Sequence, residues 1–107
     1  MRKSISKQEL ETLSKTSTVH LLDVRSQQEF EKQHIPVAVN VPADDLPNAS
    51  QKFSSGDTLV CVCNHGGQRS QTSAEYLHSH GFENAFYLEG GTAGWFDAHH
   101  QKNQSRH

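Results

Sequence analysis

The sequence predicts a single α/β domain built on a parallel sheet with helices on both faces. Short β-branched apolar runs alternate with segments of helical spacing along the chain, the pattern of successive βαβ units. The strongest of those runs is continuously apolar rather than alternating, as in a strand buried on both faces. The length, 107 residues, is one domain's worth, since domains commonly run about 100–200 residues.

Each element has a local reason. The first helix opens at Ser6, which with Glu9 forms an S-x-x-E capping box; Ile5 is placed to staple onto Leu10. Leu10 and Leu13 supply its apolar face. Residues 19–24 are a buried strand. Ser26 and Glu29 repeat the capping box and open a short helix containing Phe30, and Pro36 ends that region. Residues 37–41 are a second strand, stopped by Pro42. Residues 43–57 are polar, carry Pro47 and Gly56, and read as a loop with a weak helix. Residues 58–63 are the strongest strand and belong at the sheet's centre. A helix follows from about Arg69 to His80, with Ala74 and Leu77 on its core face and Gly81 as its stop. Residues 85–88 are the last strand. Gly90-Gly91 breaks it, and a terminal helix forms around Trp95 and Phe96, which lock it onto the sheet. The domain is expected to span residues 1–98. The tail, 99–107, has no apolar residue and is expected to be disordered. Its histidines match no metal-site spacing, and no metal is expected.

Composition excludes several function classes. Apolar residues make up 33%, against an average of about 45–50% with glycine counted, so the core must be compact. A net charge of −2 and a pI near 6.4 argue against a nucleic-acid footprint. No apolar run approaches the roughly 18 residues of a membrane span. Met1-Arg2-Lys3 is basic but no apolar stretch follows, so no secretory signal is read. Cys61 and Cys63 stand one residue apart and cannot staple a fold, which points to a reduced, cytoplasmic compartment.

The chemistry concentrates in Cys63-Asn64-His65-Gly66-Gly67-Gln68-Arg69-Ser70. A cysteine ends a buried strand, a glycine-containing loop follows, and a helix begins beyond it. This puts the sulfur at the carboxyl end of the sheet, where open α/β folds place their ligands. Loop N–H groups and a helix N-terminus make an anion cradle, and Arg69 adds a permanently charged fork. All of these favour thiolate over thiol, so the Cys63 pKa is expected below that of a free cysteine. Cys61 reads as a small core hydrophobe. His65 reads either as a donor to a bound anion or as a solvent-facing loop residue.

Three segments resemble the rhodanese family of sulfurtransferases, in its small single-domain form. The first is Leu21-Leu22-Asp23-Val24-Arg25 with Glu29-Phe30-Glu31 and His34-Ile35-Pro36-Val37-Ala38-Val39-Asn40-Val41-Pro42. The second is Val62-Cys63 through Arg69-Ser70. The third is Gly81-Phe82-Glu83-Asn84 with Leu88-Glu89-Gly90-Gly91-Thr92-Ala93-Gly94-Trp95. The resemblance implies a five-stranded parallel sheet flanked by helices. It implies a double displacement in which Cys63 takes a sulfane sulfur from a small anionic donor such as thiosulfate. The resulting persulfide passes its sulfur to a thiol, cyanide or a thioredoxin-like acceptor, with neither metal nor organic cofactor. The backbone of Asn64, His65, Gly66, Gly67, Gln68, Arg69 and Ser70 would cradle the outer sulfur, and Arg69 would steady the donor. Asp23, Arg25 and Glu29 would hold structure, with Arg25 pairing with Glu29 at the strand-to-helix turn.

Two departures stand out. Val37 replaces the family's glycine after Ile-Pro, so that turn must avoid positive φ. Five residues, not four, separate Cys63 from Arg69. This longer loop resembles that of cysteine-based phosphatases and arsenate reductases, which leaves phosphate or arsenate chemistry as an alternative. A non-catalytic binding or redox-sensing module is another.

Overall fold

The structure, a computed structural model, describes residues 3–104, with side chains as far as Asp97. Five strands, β1 (Ser4–Ile5), β2 (Val19–Asp23), β3 (Val39–Asn40), β4 (Thr58–Val62) and β5 (Ala85–Leu88), form one sheet in the order β1-β5-β4-β2-β3. Every neighbouring pair is parallel. The helices are α1 (Lys7–Ser14), α2 (Gln27–Lys32), α3 (Leu46–Ser50), α4 (Gln68–Ser79) and α5 (Gly91–Gln104), with a 3-10 turn at Ala43–Asp45 before α3. No helix among the described residues is long and apolar enough to cross a membrane.

The central place of β4 follows from its composition. All five of its residues are buried. Leu59 and Cys61 face one core with Leu22 of β2, Leu46 of α3, and Ala74 and Leu77 of α4. Val60 and Val62 face the other core with Leu10 of α1, Leu21 and Leu88, against which Trp95 of α5 packs. A strand with apolar side chains on both faces has to lie between two helical layers, where each buried Leu or Val contributes about 1.5–3 kcal/mol. Trp95 carries Lys7 over its ring at 4.7 Å, tying α5 to α1.

Both expected capping boxes are present. Ser6 Oγ accepts from Glu9 N–H at 3.1 Å while Glu9 Oε1 accepts from Ser6 N–H at 2.8 Å. Ser26 and Glu29 repeat this at 3.2 Å in both directions. Ile5 and Leu10 share a core cluster, as the staple requires.

The structure differs from the sequence reading in several places. β1 was not read from the residue pattern, because two residues are too few to show periodicity. The strand expected over 37–41 shrinks to Val39–Asn40. Pro36 and Val37 form a turn, and Pro42 has no N–H to pair. Asn40 fills part of the gap, its amide donating to the carbonyls of Asp23 at 3.1 Å and Arg25 at 3.0 Å. No described non-glycine residue has positive φ, so the Val37 turn avoids that region. The helix expected from about Arg69, α4, begins at Gln68, one residue early. Finally, α5 is helical to Gln104, although disorder was expected from 99. Ala98, Gln101, Lys102 and Gln104 have adequate helix propensity, and a helix already anchored by packing propagates at little cost. Residues 105–107 and the side chains of the tail histidines lie outside the described residues.

Candidate active site

The site grows from the end of β4. Cys63 follows the last strand residue and is 3% exposed. α4 begins five residues later, with Gly67 at its N-cap and no side-chain cap. A helix start leaves its first N–H groups without intrahelical acceptors, and Ser, Thr, Asp or Asn usually supplies one. Here the sulfur does so. Gly67 N–H donates to Cys63 Sγ at 3.2 Å, and the N–H groups of Ser70 and His65 also support the sulfur. Ser70 Oγ lies 3.1 Å from Sγ and donates to the Gly67 carbonyl at 3.2 Å. With the thiol ionised, that hydroxyl proton can be given to the sulfur instead.

These contacts favour the charged form of the sulfur. Burial pushes the Cys63 thiol up, but the Ser70 hydroxyl and the N–H groups of Ser70, Gly67 and His65 outweigh it and bring the pKa below the ordinary value of 9.0. Cys61 is the control two residues earlier. Burial, assisted by the charge on Cys63, pushes it up to about 12. Cys61 is a core residue held as the thiol, and Cys63 is a buried cysteine at a helix N-terminus where the charged form is favoured.

The signature residues of the first segment converge on the loop. Arg25 does not pair with Glu29. It binds Asp23, its Nη2 2.8 Å from Oδ2, and also donates to Asn64 Oδ1 at 2.9 Å and the Gln33 carbonyl at 2.6 Å. Spacing of four joins side chains only inside a helix, and Arg25 precedes the N-cap Ser26. Glu29 instead accepts from Asn64 Nδ2 at 3.0 Å and from Arg69 Nη1 and Nη2 at 3.1 and 3.3 Å. Arg69 is therefore turned to Glu29 rather than closed over the sulfur. The hydrogen bonds that Arg69 donates to Glu29 raise its pKa above the ordinary value against the effect of burial, and the charges of Glu29, Cys63 and Asp23 add to this.

The remaining loop residues divide by role. His65 is exposed, so its side chain faces solvent and its backbone serves the sulfur. Gly66 has φ +71°, and a Cβ there would stand 2.8 Å from Leu88 O and Gly90 N, so only glycine fits. Gly67 has open space beside it. Gln68 is exposed and bonds to Thr72 Oγ1 at 3.1 Å.

Three contributors escaped the sequence reading. Gly91 has φ +58°, and a Cβ there would collide with the backbone of Cys63 and Asn64. The start of α5 docks on the loop, Thr92 N–H donating to Cys63 O at 2.8 Å and Ala93 N–H to Asn64 O at 2.9 Å. Gln71 Nε2 holds Gly66 O at 3.2 Å. The Gly90-Gly91 pair was the available signal, since paired glycines before a helix mark close backbone approach as well as a strand break.

The fold and site together define an α/β protein with a buried cysteine of lowered pKa at a helix N-terminus, at the carboxyl end of the central strand of a parallel sheet. Comparison narrows this. The rhodanese-like domain family matches residues 6–98, and the chain belongs to that family. It is 31% identical over 96 residues to the thiosulfate sulfurtransferase GlpE of Shewanella oneidensis, covering 90% of this chain and 94% of that protein. It is 34% identical over 100 residues to the GlpE protein of Coxiella burnetii, covering 94% and 92%. Among solved structures it resembles the human single-domain sulfurtransferase TSTD1, with a TM-score of 0.79 and 28% identity over 91% of this chain and 97% of that one.

Proposed function

We propose that this sulfurtransferase moves a sulfane sulfur through a persulfide on Cys63. The carrying observation is that the Cys63 sulfur serves as the acceptor for the α4 N-terminus, within reach of Gly67 N–H and the Ser70 hydroxyl. The thiolate bonds to the sulfane sulfur of a thiosulfate-like donor. The bond from that sulfur to the sulfonyl sulfur breaks, and sulfite leaves with the electron pair. The persulfide anion then sits in a field of N–H donors suited to one more negative atom. An acceptor thiol, cyanide or thioredoxin-like protein removes the outer sulfur and restores the thiolate. Arg69 is the side chain placed to meet an anionic donor once it leaves Glu29. The domain is taken as residues 1–98, where the family match ends, and 99–107 as its tail. Two free cysteines, one of them working as a thiolate, suit the reducing cytoplasm.

The longer loop keeps phosphate and arsenate chemistry within the test. A cysteine phosphatase needs a general acid for its leaving group. The carboxylates joined to this loop, Asp23 and Glu29, are both bound to arginines, and this favours sulfur transfer. The wild-type protein is expected to release thiocyanate from thiosulfate and cyanide, and Cys63→Ala to abolish it. Hydrolysis of an aryl phosphate with no thiocyanate released overturns the reading. Arg69→Ala is expected to weaken donor use far more than thermal stability; equal losses make Arg69 structural.

A further inference from the structure

Two guanidinium groups stand at this site, and each is bound to a carboxylate. Arg25 is paired with the buried Asp23. Arg69 is gripped through both terminal nitrogens by Glu29. The second pair is anchored unequally. Glu29 Oε1 also accepts from the Ser26 N–H at 3.2 Å and the Ser26 hydroxyl at 3.1 Å, and Oε2 from Asn64 at 3.0 Å. Asn64 is itself held from its other end by Arg25. Arg69 has only Glu29 as a side-chain partner among the described residues, and its side chain is 45% exposed. Glu29 is thus the fixed member of the pair and Arg69 the movable one. When an arriving anion draws Arg69 away, the Glu29 charge stays at the rim.

The charges sum simply. Asp23 cancels Arg25, Glu29 cancels Arg69, and the Cys63 thiolate leaves the site with one net negative charge. The hydrogen bonds from Arg69, Ser26 and Asn64 hold the Glu29 carboxyl down to about 2, so it stays charged at every pH where a thiolate exists. A dianionic donor must compete with Glu29 for Arg69 and approach a negative site. A monoanion with the same sulfur–sulfonyl bond meets about half that Coulomb cost.

We propose that Glu29 is a specificity-determining residue: it masks Arg69 and biases the site against dianionic sulfur donors, towards donors with at most one negative charge, such as thiosulfonates. This rests on the sulfurtransferase reading above. The bond changes are the same for either class of sulfonyl donor. The Cys63–sulfur bond forms, the sulfur–sulfonyl bond breaks, and its electron pair leaves on sulfite from thiosulfate or on a sulfinate from a thiosulfonate.

The test compares thiosulfate with methanethiosulfonate, with cyanide as acceptor, in wild type and Glu29→Gln at low salt. Glutamine keeps the capping geometry of this position without the charge. The variant is expected to raise kcat/KM for thiosulfate about three- to fivefold, through KM, and that for methanethiosulfonate by less than about twofold, the scale of a partly exposed ion pair. A second measurement needs no variant. Raising sodium chloride from about 0.02 to about 0.3 M is expected to increase kcat/KM for thiosulfate in wild type and to narrow the gap between the donors. Equal factors for both donors in Glu29→Gln, or a fall with salt for thiosulfate, overturn the proposal. A Cys63 persulfide that forms from both donors at a ratio Glu29→Gln leaves unchanged removes only the role of Glu29. If neither donor loads Cys63, the sulfurtransferase reading fails and the proposal with it.

Discussion

β2 and β4 run side by side and deliver the chain to α2 and α4 at the same, carboxyl end of the sheet, yet the two junctions are built in opposite ways. After β2, Ser26 caps α2 with its own side chain and Glu29 closes the box from the other side. After β4, Gly67 offers α4 no side-chain cap, and the sulfur of Cys63 receives the N–H groups instead. The first junction is complete in itself. The second is complete only through a cysteine sulfur from the preceding strand end. A helix N-terminus carries a partial positive charge and free donors wherever it occurs. It becomes a reactive site where the chain withholds the ordinary cap and puts an ionisable atom in its place. The complete junction also serves the other, since Arg25 and Glu29 hold Asn64 and Arg69.

The comparison can be broken at several points. The largest effect belongs to Arg25→Met. Asp23 is fully buried, and removing its partner leaves an uncompensated charge that costs about 3–5 kcal/mol in urea unfolding. Ser70→Ala acts on the other junction. It removes a donor to the thiolate, so the Cys63 pKa is expected to rise, read as a shift of the alkylation-rate profile to higher pH. Ser26→Ala is expected to cost about 1 kcal/mol of stability and to leave that alkylation profile in place.

A smaller effect comes from the Glu29–Arg69 pair. The Glu29 carboxyl is held at about 2 against an ordinary 4.5. A depressed carboxyl pKa stabilises the fold above the unfolded value, and the gain is lost as pH falls through the folded one. The stability gap between wild type and Glu29→Gln is therefore expected to be flat above 4.5 and to close between 4.5 and about 2. For so exposed a pair its size is about 0.5 kcal/mol. Gly67→Ser is the subtlest change. The space beside Gly67 is open, so a serine there can supply the missing cap, adding a few tenths, about 0.3 kcal/mol, while weakening the hold on the thiolate. A gain in stability with an unmoved Cys63 pKa breaks the comparison, because the sulfur is then not the cap.

Local chemistry was legible and long-range pairing was not. Both capping boxes, the last strand at Ala85–Leu88 and the central place of β4 follow from residues within a few positions of each other. Cys63 stands out in the sequence because a strand end, a glycine loop and a helix start are contiguous there. The Glu29–Arg69 pair joins residues 40 apart, and no periodicity links them. Arg25 and Glu29 do share the strand-to-helix turn, but the adjacent Asp23 takes Arg25, and Glu29 is left for Asn64 and Arg69 from the distant loop. The docking of α5 on the loop was hidden because Thr92 and Ala93 act through backbone N–H groups, which any residue but proline carries.

The most direct measurement is the intact mass of the reduced protein after incubation with thiosulfate or methanethiosulfonate, with Cys63→Ala as control. A gain of one sulfur atom on wild type alone, removed by cyanide, is the expected result. No gain with either donor, or an equal gain on Cys63→Ala, contradicts a persulfide held by Cys63 at the head of α4.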